Sequence, residues 1–326
     1  MRKNKVTDQE YHVRNMRSLI NYGKKLLRIP GFPTKDFYQR DDEKGWWMPT
    51  KQFAIKSYCQ LYLEILQKQQ FIDTIFIDPL SSNGMVRLSK KKGEDILLMP
   101  GTSINAALVS LKKEKGFSEF FINDISPENR EIMSKRFEAF NQINNNALSI
   151  NIEPKERGKI DSNEWILDIL DRIKDKYEYP NYLMVIDNQG MDIGYETLKK
   201  IREYHEFGDI IITFHDSAFS RAIHSDKIEF FYGRNLGNNT TIEIRRNLYI
   251  KQLKLIGFGR IEPLFIRSDY NFFYTLLFCC RKDVPAKWLD MIKYFRKVRF
   301  RNCTAVFMKN VYDIAKRKVK PLNKFC

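Results

Sequence analysis

Three aspartates each close a short apolar run: "TIFID" ends at Asp78, "EFFIND" at Asp124 and "NYLMVID" at Asp187. In open α/β sheets, ligands lie beyond the carboxyl ends of the strands, near the point where the strand order reverses. Carboxylates there can do specific work. An acid after the second strand can accept both vicinal hydroxyls of a ribose. A glycine in the loop after the first strand leaves room for a ligand against the backbone, and Gly84 in "DPLSSNG" stands at that place. Each acid taken alone would equally serve as a helix cap or turn former. Three of them, at the ends of the first, second and fourth predicted strands, favour a site.

The elements that must position them can be read from hydrophobic periodicity. Strands are predicted at 74–78, 119–124, 147–153, 181–190 and 209–217, alternating with helices at 101–116, 126–142, 162–177 and 194–208. The helix at 126–142 opens on Ser126, Pro127 and Glu128, strong start signals. For the helix at 101–116, Thr102 or Ser103 is the expected cap and Gly116 the stop. Such alternation implies right-handed crossovers and a mostly parallel sheet covered on both faces. A helix at 243–259 follows, then strands at 260–267 and 270–280. Their short link, Ser268-Asp269, requires an antiparallel pair. The expected fold is therefore α/β: a Rossmann-like, mostly parallel seven-stranded sheet with a terminal antiparallel hairpin, plus helical N- and C-terminal extensions. Residues 1–50 are taken as a basic extension, 51–282 as the α/β domain and 283–326 as a basic helical extension. Within these, 50–70 and 304–316 have helical spacing, and 30–49 reads as loop.

Charge is concentrated at the ends. Of the formal net charge of +16 over 326 residues, residues 1–25 carry +5 and residues 281–326 carry +11, so the middle is neutral. A neutral body with basic ends is suited to a polyanion such as nucleic acid, although a lysine-rich surface gives the same count. In "KYFRKVRFRNCTAVFMKNVYDIAKRKVKPLNK" the cations alternate with aromatic residues, which favours phosphate contact with base stacking. Arg299, Arg301, Lys316, Arg317 and Lys318 are the candidate contacts. His215, after the fifth strand, is a candidate substrate contact. Its neighbour Asp216 points to the opposite face of an extended strand and does not orient it. His205 and His224 read as ordinary surface or helix residues. Trp46 and Trp47 could stack on a base or seal a loop. The five cysteines have no metal-ligand spacing and no disulfide framework, which suits a reducing compartment. Neither a membrane span nor a signal peptide is expected, and the cytoplasm is the expected location.

Taken together, "KSYCQLYLEIL", "FIDPLSSNG", "PGTSINAAL", "FFINDIS", "LMVIDNQG" and "YNFFYTLLFCC" resemble the three-Cys-motif partner proteins, from about Lys51 to about Tyr294. That family looks like S-adenosylmethionine-dependent methyltransferases. The resemblance implies S-adenosylmethionine as cofactor, with Asp78, Ser82, Gly84 and Asp124 around it. It also implies an acceptor amine held by Asp187 and Asn188. Two positions depart from the family pattern: Ser82 replaces the first loop glycine, and Asn188 replaces the proline after the fourth strand. Two functions stay open. One is methyl transfer to nucleic acid or a nucleic-acid-associated substrate. The other is a degenerate methyltransferase fold serving as a nucleic-acid-binding or assembly subunit. A protein partner is compatible with both, and no metal is expected.

Overall fold

A computed structural model of the chain describes residues 8–40, 43–68, 73–89, 96–188, 190–204, 208–215, 225–236, 241–267, 273–280, 290, 292–294 and 303–317. In chain order the elements begin with α1 (Asp8–Leu26), β1 (Tyr38–Arg40), α2 (Met48–Leu66), β2 (Asp73–Asp78), β3 (Met85–Ser89), β4 (Ile96–Pro100) and α3 (Thr102–Ser110). The alternating part follows: β5 (Glu119–Ile122), α4 (Pro127–Gln142), β6 (Ser149–Ile152), α5 (Ser162–Lys176), β7 (Pro180–Ile186), α6 (Tyr195–Tyr204) and β8 (Gly208–Phe214). The chain then forms α7 (Ser225–Tyr232), α8 (Ile242–Leu255), β9 (Arg260–Arg267), β10 (Phe273–Cys280) and α9 (Ala305–Arg317).

Seven strands form one sheet in the order β6-β5-β2-β7-β8-β10-β9. β2 is the third strand in this order, parallel to β5 on one side and β7 on the other, β6 is parallel to β5, and β8 continues the parallel set. Only β10 is antiparallel, inserted between β8 and β9. This is the expected Rossmann-like methyltransferase sheet with its terminal hairpin. The strand order reverses at β2, so the carboxyl ends of β5, β2 and β7 border the crevice where ligands collect.

Alternation along the strands divides the core. Phe76, Phe120, Ile122, Leu183, Val185 and Ile211 face a layer made by α2, α3 and α4. Ile75, Ile77, Phe121, Met184, Ile186 and Ile212 face α5, α6, α7 and α8. Local signals fix the helix starts as expected. The Ser126 hydroxyl accepts from the Asn129 amide at 3.2 Å at the head of α4. Asp161 does the same for Asn163 and Glu164 at the head of α5.

Three features differ from the sequence expectation. β1, β3 and β4 form a separate small sheet within a stretch where no strands were expected. The expected helical N-terminal extension is present as α1, but its placement was not foreseen: it packs on β4 and on α9, so the two chain ends form one lobe over the inserted hairpin. α3 is capped by Gly101 without a side chain and ends at Ser110, well before Gly116. Among the described residues no helix is long and apolar enough to cross a membrane.

Candidate functional site

The loop between β2 and β3 is built around Asp78. Its side chain is wholly buried. One carboxylate oxygen accepts from the Leu80 amide at 3.3 Å and the other from the Ser103 hydroxyl. Ser103 is therefore occupied by Asp78, which explains why it does not cap α3. Burial pushes the Asp78 carboxyl up to about 7, and the nearby Asp187 adds to this; the Ser103 hydrogen bond and Lys51 oppose it. Further along the loop, Ser82 and Gly84 both lie in the left-handed region, at φ 53° and 81°. The missing side chain of Gly84 faces the core: a Cβ there would stand 2.5 Å from Met133 Sδ. Gly84 is thus required for backbone conformation and packing on α4, whereas the sequence reading gave it space for a ligand.

Asp124, just past β5, ties this loop down. Its Oδ2 accepts from the Ser82 amide at 2.9 Å, and its Oδ1 accepts from the Ser126 amide at 3.0 Å and from Asn129 Nδ2 at 2.9 Å. An ionised carboxylate offers about four lone-pair positions, so three donors leave about one free. The loop is also clasped from outside. The guanidinium of Arg136, fully buried in α4, donates to the carbonyls of Lys35 at 2.7 Å and Asn83 at 2.5 Å.

Asp187 stands beyond β7. One of its oxygens accepts from Lys51 Nζ and the other from Thr213 Oγ1 at 2.9 Å. Lys51, in the first turn of α2, is 3% exposed, and its ammonium also lies 5.2 Å from the centre of the Trp47 ring. Trp47 packs at 3.9 Å on Tyr274, whose other neighbour is His215 at 4.0 Å. His215 is buried beside this group, one residue past β8. Trp46 is fully buried and donates to the Ser89 carbonyl at 3.2 Å. Both tryptophans therefore seal the lobe against the sheet, and neither is placed for base stacking.

Asn188 follows Asp187 directly. It is 1% exposed, and neither its amide nitrogen nor its oxygen has a partner. Asn123, at the end of β5, is fully buried and in the same condition. Buried amides are nearly always paired, and each such atom costs about 1–3 kcal/mol when left alone. Two unpaired amides at the strand ends on either side of β2, with the spare lone pair of Asp124, fit a ligand that carries both donors and acceptors, as a nucleoside cofactor does.

Asp78, Ser82, Gly84, Asp124, Asp187 and Asn188 thus lie together at one edge of the sheet. Lys51, Ser103 and Thr213 escaped the sequence reading because their partners are 136, 25 and 26 residues away. The one local hint was a lysine one turn after Trp47 in a helix that is otherwise largely buried. Lys316 and Arg317 end α9 and are exposed, while Arg299, Arg301 and Lys318 lie outside the described residues, as do His205 and His224. Cys59, Cys279, Cys280 and Cys303 are free thiols, and burial raises all four. Among the described residues no group of three His, Cys, Asp or Glu could hold a metal ion.

No family model matches the chain, and no curated protein matches it. Solved structures do. A Legionella pneumophila protein is 11% identical over 74% of this chain and 89% of its own, at a TM-score of 0.43. An O-methyltransferase from Bacillus cereus, in complex with SAH, is 11% identical over 82% and 90%, at 0.39. A putative S-adenosyl-L-methionine-dependent methyltransferase from Methanococcus maripaludis is 17% identical over 78% and 100%, at 0.34. At these overlaps the strand order carries the fold assignment on its own.

Proposed function

We propose that this protein is an S-adenosylmethionine-dependent methyltransferase acting on nucleic acid or a nucleic-acid-associated substrate, in the manner of the three-Cys-motif partner proteins. The observation that supports it best is the gathering of Asp78, Asp124, Asp187 and the unpaired Asn188 at the carboxyl ends of β2, β5 and β7. In this reading Asp124 holds the ribose through its remaining lone pair. Ser82 and Gly84 set the loop that Asp78 anchors. Asp187 and Asn188 orient the acceptor, with His215 beside them. The cofactor supplies the activated methyl group, and the protein contributes chiefly position. Arg299, Arg301, Lys316, Arg317 and Lys318 would contact phosphates, the region 51–282 would carry the chemistry, and the cytoplasm would be its place of work.

The second reading, a methyltransferase fold retained as a binding or assembly subunit, is favoured by one feature. Lys51 and Thr213 occupy both oxygens of Asp187 from within the chain. Incubating the full-length chain with methyl-labelled S-adenosylmethionine and mixed DNA and RNA with their bound proteins separates the two: label enters nucleic acid or an associated protein only in the first. Under either reading, removing residues 317–326 should flatten the salt dependence of nucleic-acid binding, by about 0.7–0.9 per lost phosphate contact. Full-length protein that binds neither DNA nor RNA at low salt would exclude nucleic acid as the substrate.

A further inference from the structure

Lys56 is the one strongly buried lysine in α2 that has no acid to answer it among the described residues. It is 8% exposed; its ammonium donates to Ser18 Oγ at 3.2 Å and lies 5.6 Å from the centre of the Tyr22 ring. Other lysines of the molecule have carboxylates. Lys51 has Asp187, Lys113 has Glu64, Lys176 has Glu119, and Lys135 and Lys155 share Glu131. An ammonium taken from water without a counter-ion is costly, and burial accordingly lowers the proton affinity of Lys56.

A second cation reaches the same ring. Lys112, in the turn after α3, places its ammonium 4.5 Å from the centre of Tyr22, and it too has no acid partner among the described residues. Lys112 and Lys113 at the end of α3 also complement the helix dipole. That does not account for Lys56, which lies in the middle of α2, away from any helix end. Two ammoniums therefore converge on one tyrosine where α1, α2 and α3 meet, with Lys24 and Lys25 exposed close by in α1. One of these ammoniums is buried and the other, Lys112, is exposed, so the pair presents unanswered positive charge that an anion reaching Lys112 from solvent would offset.

We propose that Lys56, Lys112 and Tyr22 form a seat for a phosphate group, carried by a nucleic-acid strand or by a free phosphate ligand, on the outer face of the α1–α2–α3 layer. This seat is separate from the carboxyl edge and from the C-terminal cations. Its use by a strand rests on the nucleic-acid reading above, whereas the seat itself does not.

The test uses the full-length chain, a labelled single-stranded oligonucleotide and inorganic phosphate. Binding is followed by anisotropy between about 50 and 200 mM salt for the unmodified protein and for Lys56→Gln and Lys112→Gln. Each variant should lower the salt slope by about 0.7–0.9 and weaken binding several-fold at low salt. Lys56→Gln should also hold or raise the melting temperature, because it removes an unanswered buried charge; a lysine with a purely structural role would lower it. Variants that bind the oligonucleotide as the unmodified protein does, with the same slope, would overturn the seat and leave the nucleic-acid reading standing. If the unmodified protein binds no oligonucleotide, the nucleic-acid reading fails, and the phosphate arm decides the seat. Excess phosphate should then raise the melting temperature of the unmodified protein more than that of either variant, and equal shifts would overturn the seat.

Discussion

Asp78 has no solvent contact and is held between a hydroxyl and a backbone amide, with its carboxyl pushed up to about 7. Because this acid is raised on folding, its contribution is largest at low pH, where both folded and unfolded forms carry the proton. Stability then falls as pH rises from the ordinary carboxylate range to about 7, since only the unfolded chain ionises freely. Asp78→Asn removes the charge and keeps the shape. It should stabilise the protein above pH 7, by on the order of 2–4 kcal/mol, and have little effect near pH 4. Paired thermal melts of variant and unmodified protein at both pH values measure this, and a pH-independent difference would contradict it. Lys51 and Asp187 follow the opposite logic. Lys51→Met strands a carboxylate that is about a fifth exposed, so the loss in urea denaturation should fall at or below the lower end of the roughly 3–5 kcal/mol expected for a fully buried pair. Asp78, Asp124 and Asp187 were legible in the sequence because each ends a local apolar run. Lys51 was not, because its partner is fixed only by tertiary folding.

At the scale of elements, the alternating half of the chain was readable in kind and order, with starts within two residues and ends overrun by up to four, since each strand and helix there carries its own periodicity. The inserted hairpin was not. β3 has Arg87 in its middle and β4 ends in Pro100, so neither shows the alternation that marks a strand. α1 did carry a signal: Val13, Met16, Leu19, Ile20, Gly23 and Leu26 recur at helical spacing and are all buried, but they lie within a strongly charged segment. Gly23 makes the contact between α1 and β4 possible. A Cβ there would stand 2.1 Å from the Leu98 carbonyl oxygen, which belongs to backbone and cannot rotate away. Alanine gains about 0.5–1 kcal/mol in helix propensity, less than the roughly 1–3 kcal/mol that overpacking costs. Gly23→Ala should therefore lower stability overall, as read by chemical denaturation. An unchanged or raised midpoint would show that α1 does not pack so closely on the hairpin.

Across the whole molecule, the two basic ends that the charge distribution singled out meet in space, α1 lying against α9. His12 of α1 contacts Cys303, just before α9, at 3.2 Å, which joins residues 291 positions apart. The charge imbalance was legible by counting, but the meeting of the ends was not, because no local pattern encodes a contact over that separation. Trp46 of the N-terminal extension packs on Tyr312 of α9, and its neighbour Trp47 lies against Lys51, the partner of Asp187, so the extensions border the corner proposed for the acceptor. Everything proposed for that edge depends on whether it holds a nucleoside cofactor. Isothermal titration of the full-length protein with S-adenosylmethionine and S-adenosylhomocysteine, alongside Asp124→Ala, tests this directly. The expected result is one saturable site for each nucleoside, with Asp124→Ala weakening both by about 1.5–3 kcal/mol, roughly ten- to a hundred-fold. Binding that Asp124→Ala leaves unchanged would contradict the ribose assignment, and no binding of either nucleoside by the unmodified protein would contradict the methyltransferase reading itself.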